Sequence, residues 1–110
     1  MIEILKRRAE RYKYIENLDY YLGKVRKIAE KHLGEVEIHI FGSFAEGKNA
    51  PSSDVDVLIR ANDITPEKRN AVISEVYKKL GSWHPFEIHI VDERGFDWYR
   101  RFCRKMIRKH

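Results

Sequence analysis

The sequence has one cysteine, no glutamine and a single threonine among 110 residues, and none of its apolar runs is long. One cysteine cannot form a disulfide bond within the chain. Apolar runs such as residues 57–59 are far shorter than the roughly 20 residues that cross a bilayer, so no contact with a membrane is expected. The first residues lack the basic-then-apolar order of a signal peptide, and a cytoplasmic location is therefore expected.

The composition is that of one soluble globular domain over residues 1–110, with 43% apolar and 35% charged residues. The charge is uneven, because residues 94–110 contain seven basic groups and one acidic group, a net +6, against +5 for the whole chain. Such a segment can contact nucleic acid, nucleotide phosphates or an acidic partner, or it can be the solvated face of a helix.

The lone Cys103 lies within this basic segment, where neighbouring cations could lower the pKa of its thiol and make it reactive. No His-Asn or His-Asp pattern accompanies it, so partial packing of a helix residue is the favoured interpretation.

The periodicity of apolar residues predicts three regions. Residues 1–34 form an N-terminal helical region that ends at Gly34, with Gly23 as a weak point or break. Residues 35–92 form a strand-turn-strand-helix-strand core, in which Thr65, Pro66 and Glu67 start the helix. Residues 93–110 form a basic C-terminal helix that continues through residues 106–107. The stripe of the first region comprises Leu5, Ala9, Tyr12, Ile15, Leu18, Leu22, Val25, Ala29 and Leu33.

This element order predicts an α/β (α+β) fold with a small mixed sheet. We expect the helices on one side of the sheet and the acidic residues at one open edge.

Two acidic residues, Asp54 and Asp56, are separated by one position on the second predicted strand. Side chains alternate across a strand, so both carboxylates project from the same face, roughly 7 Å apart at Cα. Like charges so placed repel, and a divalent cation removes that cost by binding to both. Without further signals, two solvated acids at the start of a strand would be the commoner explanation.

The residues Gly42 and Ser43 follow the first predicted strand. Glycine allows a sharp turn, and the N–H groups of the turn together with the Ser43 hydroxyl can bind phosphate. Alternatively, Ser43 begins a capping box with Glu46, although Gly47 leaves little helix to cap.

A third carboxylate, Glu87, belongs to a strand in which Glu87 and His89 face one way and the apolar residues face the other. If this strand pairs beside the strand of Asp54 and Asp56, Glu87 completes a cluster of three acids, about the number that two cations need. Taken alone, Glu87 could equally be an exposed strand residue. The histidines, including His89, show no metal-ligand spacing.

Gly42-Ser43, ten intervening residues and Asp54-X-Asp56 resemble the signature of minimal nucleotidyltransferases in the DNA polymerase beta-like superfamily. The resemblance implies that Gly42 and Ser43 bind a nucleoside triphosphate, with ATP as the expected donor. It also implies that Asp54, Asp56 and Glu87 are catalytic and bind two Mg²⁺ ions; Glu87 stands where the family often has aspartate. One ion would hold the triphosphate, and the other would activate an acceptor hydroxyl.

The acceptor is a separate question, because larger relatives add a helical domain that grips their substrate and this sequence has no residues for one. It is in this respect similar to the family members that act as antitoxins beside HEPN toxins, which implies a HEPN-type partner and adenylylation of a protein hydroxyl. Two alternatives stay open: an RNA or tRNA nucleotidyltransferase whose basic segment holds RNA, and a catalytically silent module that binds its partner.

Overall fold

A computed structural model describes residues 2–48 and 54–110 of the chain, with the side chains of residues 5–48 and 54–110. The helices of this part are α1 (Ile2–Glu16), α2 (Leu18–Leu33), α3 (Gly42–Ala45), α4 (Pro66–Leu80) and α5 (Glu93–Phe102). Its strands are β1 (Glu37–Phe41), β2 (Val55–Arg60), β3 (Phe86–Val91) and β4 (Met106–Lys109).

The strands form one mixed sheet in the order β3-β2-β1-β4, which confirms the predicted fold class. Strands β2 and β3 are parallel and are joined through α4, whereas β1 is antiparallel to both β2 and β4. A parallel pair needs a long connection, and the predicted helix between the two strands supplies it. The Thr65 hydroxyl caps α4 by accepting a hydrogen bond from the Lys68 N–H at 3.2 Å.

The N-terminal helical region is divided at Asn17 and not at Gly23, which lies inside α2. The Asn17 side-chain amide donates to the Lys13 carbonyl at 2.9 Å, and Asn17 itself has a non-helical ψ of 40°. Asparagine competes in this way for backbone partners, so it ends helices more readily than it continues them. The predicted end at Gly34 is confirmed: φ is 79° there, and its N–H donates to the Glu30 carbonyl.

Helices cover both faces of the sheet, so the expectation of helices on one side is wrong. On the first face, α2 and α4 pack over a buried row of β1 and β2 side chains. On the second face, Phe96 of α5 packs over Phe41 and Leu58. Leu58 lies on the same face of β2 as Asp56 and is fully buried, so this face needs an apolar cover of its own. The row on the first face comprises Ile38, Ile40, Val55, Val57 and Ile59.

The predicted C-terminal helix is also corrected, because α5 ends at Phe102 and residues 106–109 form β4. Ile107 lies opposite Ile40 of β1, and the Arg26 guanidinium donates to the Lys109 carbonyl at 2.6 Å. Strand β1 would otherwise leave a row of backbone N–H and C=O groups unpaired. This non-local pairing outweighs the helical periodicity of the segment.

Among the helices of the described residues, none is long and apolar enough to cross a membrane.

Candidate active site

Asp56 and Glu87 lie directly opposite each other on the parallel strands β2 and β3. The condition on which a cluster with Glu87 depended, pairing of the two strands with matched faces, is therefore met, and both carboxylates lie on the face that α5 partly covers. His89 lies two residues further along β3, on the same face. One side-chain ligand atom from each of Asp56, Glu87 and His89 can be chosen so that all three lie within 4.8 Å of one another.

Asp54 lies just before β2 and outside this group of three. Its Oδ1 pairs with Nη1 of Arg11 on α1 at 3.1 Å, and the Asp54 side chain is 52% exposed. The structure therefore brings together two of the three predicted acids, Asp56 and Glu87, and pairs the third with a guanidinium. The predicted roles of Asp54, Asp56 and Glu87 as metal ligands stay predictions.

The turn formed by Gly42 and Ser43 lies against Asp56. Phe41, the last residue of β1, is paired with Asp56, and the chain then turns at Gly42 with a φ of 78°. A Cβ atom at Gly42 would overlap Oδ2 of Asp56, so a side chain here would displace the carboxylate, and the positive φ also favours glycine. The turn at Gly42 and a candidate metal ligand are thus in direct contact.

Ser43 lies inside the short helix α3 and is exposed. The N-cap of α3 is Phe41, Ser43 lies within the helix, and no side chain of the described residues caps it, so the capping-box alternative for Ser43 is wrong. The first N–H groups of a helix have no partner within it, and at α3 these belong to Gly42 and the residues after it. Phosphate binding at this turn stays a prediction that its geometry permits.

His89 is the residue that sequence analysis missed. Its Nδ1 hydrogen-bonds to the Tyr99 hydroxyl at 3.3 Å, and its ring packs against the rings of Phe41 and Tyr99. Its Nε2 is buried, has no hydrogen-bond partner among the residues that the structure describes, and lies 3.5 Å from Asp56 Oδ1 and 3.8 Å from Glu87 Oε1. The sequence did show that Glu87 and His89 lie on the same face of their strand. Their spacing matches no metal-binding motif, so His89 was not selected.

The group formed by Asp56, Glu87 and His89 fits a divalent cation. A buried polar atom without a partner is costly, and here the unpartnered nitrogen faces two carboxylates. If Nδ1–H donates to Tyr99, Nε2 keeps its lone pair for a cation, in the usual arrangement of a metal-binding histidine. Two carboxylates supply the oxygen ligands that Mg²⁺ and Mn²⁺ prefer.

Helix α5 has an inner face that packs on the sheet and an outer face that is exposed. Phe96 and Tyr99 belong to the inner face and pack with Phe41 and Leu58, and Cys103 follows at the end of the helix. Burial raises the pKa of the Cys103 thiol, so the reactive interpretation is wrong and the packing interpretation fits. On the outer face, Trp98 and Phe102 are 58% and 68% exposed, with ring centroids 4.9 Å apart.

Comparison with known proteins agrees with this geometry. The family model described as nucleotidyltransferase domain matches residues 22–109, and the chain belongs to that family. A solved structure of a candidate nucleotidyltransferase is similar over 81% of this chain and 97% of its own, with 28% identity and a TM-score of 0.66. A candidate nucleotidyltransferase from Sulfolobus solfataricus shares the fold with 16% identity and a TM-score of 0.57, over 91% and 82% of the chains. No curated protein matches the chain.

Proposed function

We propose that the chain is a Mg²⁺-dependent nucleotidyltransferase that uses ATP and adenylylates a hydroxyl group on a HEPN-type toxin partner, acting as its antitoxin. One observation carries the chemistry: the Gly42 turn lies against Asp56, and Asp56 lies opposite Glu87. Phosphate-binding N–H groups beside paired carboxylates are what transfer from a triphosphate requires.

The cations would be held by Asp56 and Glu87, with Asp54 and the His89 Nε2 as the further ligands beside them. Bound there, divalent cations would neutralise the phosphate charge and lower the pKa of an attacking hydroxyl. The two carboxylates are positioned by paired strands and not by loops, so their separation is fixed before any ligand arrives.

The chain's own contribution is to hold and orient the donor. The Gly42 backbone carries no side chain that would keep a phosphate away, and the exposed Ser43 hydroxyl lies next to it. The acceptor oxygen forms a bond to the α-phosphorus, the bond to the β-phosphate oxygen breaks, and pyrophosphate and the hydroxyl proton leave. Orientation supplies much of the rate in such a transfer, and a rigid site provides it.

The outer face of α5 supports a macromolecular acceptor. Trp98 and Phe102 are large exposed aromatic residues, and Tyr99, between them in sequence, hydrogen-bonds to His89 of the site. The segment from residue 94 to residue 110 adds a net charge of +6. Exposed aromatic and arginine side chains are typical of the centres of protein interfaces, so we expect a protein partner to bind here and to supply the acceptor hydroxyl, expected to be that of a tyrosine.

An RNA acceptor is the second candidate, because basic and aromatic side chains on one face also suit single-stranded nucleic acid. The two functions differ in which molecule receives the AMP group. With ATP and Mg²⁺, a protein acceptor gains mass in units of AMP, whereas RNA gains labelled AMP and its binding weakens steeply with salt. A silent binding module would bind its partner and label nothing.

The experiment is intact-mass measurement of the protein that co-purifies with the chain, before and after incubation with ATP and Mg²⁺. Addition of one or more AMP units supports the proposal, and the Asp56→Asn variant serves as the matched inactive control. An unchanged partner beside labelled RNA would assign the RNA function, and an unchanged partner without labelled RNA would assign the silent module.

A further inference from the structure

Helix α1 reaches the candidate site from outside the region that the nucleotidyltransferase family model matches, which begins at residue 22. The side chain that makes the contact is Arg11, whose Nη1 lies 3.1 Å from Oδ1 of Asp54 across 43 positions of sequence. The Arg11 side chain is 23% exposed, so most of it is packed.

The position of Arg11 is fixed by Tyr14, one helical turn further along α1. Tyr14 is 3% exposed, and its hydroxyl donates to the Leu80 carbonyl at the end of α4. Its ring packs edge-on against Phe86, the first residue of β3, with 6.2 Å between the centroids. Because α1 is anchored at the end where β2 and β3 begin, Arg11 is held above Asp54.

A guanidinium at this place suits the phosphates of a nucleotide. It is planar, always charged, and presents a fork of donors that matches two phosphate oxygens. In the structure it offsets the charge of Asp54. If Asp54 bound a cation together with a triphosphate, the Arg11 guanidinium would lie beside a strongly anionic ligand.

We infer that Arg11 is a triphosphate-binding residue that exchanges its Asp54 contact for the β- and γ-phosphates of the donor. The inference rests on the proposed nucleotide site and adds to it a residue from α1. The competing explanation is that Arg11 only neutralises Asp54, or holds it away from a cation. The two explanations differ in which ligands bind less tightly when the Arg11 side chain is removed.

The test is calorimetric titration of the full chain with a non-hydrolysable ATP analogue and, separately, with AMP, both at saturating Mn²⁺. Arg11→Ala should weaken binding of the triphosphate by about 10- to 100-fold, the worth of a hydrogen bond to a charged group. AMP lacks the β- and γ-phosphates, so its affinity should change by less than about threefold. Arg11→Lys should restore part of the loss, because it keeps the charge but not the fork.

The matched control is Lys6→Ala, which removes one positive charge from α1 about 140° around the helix from Arg11. It should leave both affinities unchanged, which would show that the general charge of α1 is not the cause. The melting temperature of each variant, without ligand, checks that the fold is intact.

Four outcomes would overturn the inference. Equal triphosphate affinity in wild type and Arg11→Ala would show that the guanidinium makes no contact, and tighter binding in the variant would show that it competes with the cation. Equal losses for ATP analogue and AMP would show that it acts through the shape of the site. A wild-type chain that binds neither nucleotide would overturn the proposed function itself, and the inference with it.

Discussion

Gly42 and Asp56 are in contact through the space that a side chain on Gly42 would occupy: a Cβ atom there would overlap Oδ2 of Asp56 and lie 3.3 Å from its Cγ. Gly42 also has a φ of 78°, a conformation in which a residue with a side chain is strained. The turn after β1 and the carboxylate on β2 are therefore one structural unit. A substitution at either residue should therefore alter the conformation of the other.

The change Gly42→Ala should displace Asp56 and strain the turn. We expect metal-dependent binding of an ATP analogue to weaken at least about tenfold and the free energy of unfolding to fall by about 1–3 kcal/mol. The matched control is Gly23→Ala, inside α2 with open space around it, which should raise the free energy of unfolding by about 0.5–1 kcal/mol. Unchanged binding in Gly42→Ala would show that the close approach is unimportant.

The change Asp56→Asn tests the acid pair without a change of size. Replacing one of two facing carboxylates removes repulsion, so the melting temperature without metal should stay the same or rise. Binding of Mn²⁺, followed by electron paramagnetic resonance, should be lost together with transfer activity. Asp97→Asn on α5, which breaks an exposed pair with Arg100, should change neither. Full Mn²⁺ affinity in Asp56→Asn would contradict the site.

His89 should determine which cation the site prefers. A nitrogen ligand favours Mn²⁺ over Mg²⁺, because Mg²⁺ takes oxygen ligands almost exclusively. We expect His89→Ala to lower Mn²⁺ affinity by about tenfold and Mg²⁺ affinity by much less, as measured by calorimetry. Tyr99→Phe should show a smaller loss of the same kind, because it removes the partner of Nδ1. Equal changes for both cations would exclude His89 as a ligand.

Acid should destabilise the fold through His84. Burial, and next the nearby Arg11, lower the pKa of His84, and its Nδ1 accepts the Phe86 N–H at 3.0 Å. Below the unfolded-state pKa of about 6.5, the unfolded chain therefore binds more protons than the folded chain, so stability falls as pH falls. Burial lowers the pKa of His39 as well, and it adds to the same trend.

Urea unfolding at pH 7.5 and pH 5.5 measures this effect. We expect the free energy of unfolding to drop by about 1 kcal/mol or more at the lower pH, in a window that lies above the usual pKa of carboxyl groups. His84→Asn should show a smaller drop, with the remainder due to His39. The same drop in both proteins would remove His84 as the cause.

The core of the fold was predictable because its signals are local. Thr65 and Pro66 mark the start of α4, Gly34 marks the end of α2, and alternation along β2 and β3 assigns Asp56 and Glu87 to one face. Each of these inferences needs only a few neighbouring residues. The pairing of these two strands entered the sequence analysis only as a condition, and the structure shows that it is met.

The remaining features depend on contacts between distant residues. The pair of Arg11 with Asp54 spans 43 positions, and β4 pairs with a strand more than 60 residues earlier. Neither contact produces a periodic pattern in the sequence, and the helical pattern of the C-terminal segment favoured a helix where the structure has β4. Leu58 is an apolar residue on the same face as the acids, and it is buried because α5 packs over it. The sequence around Leu58 does not show where α5 packs, so the helix on this face could not be predicted.

The parallel pairing of β2 and β3 also makes the acid pair sensitive to how one part of the chain closes. Asp56 and Glu87 belong to one strand-helix-strand unit, residues 55–91, whose two strands are joined by the long connection that a parallel pair needs. A slip of one residue in this pairing would turn Glu87 to the opposite side of the sheet. If Asp56 and Glu87 bind a cation, the affinity should therefore appear during refolding only after the two strands have paired in the correct register.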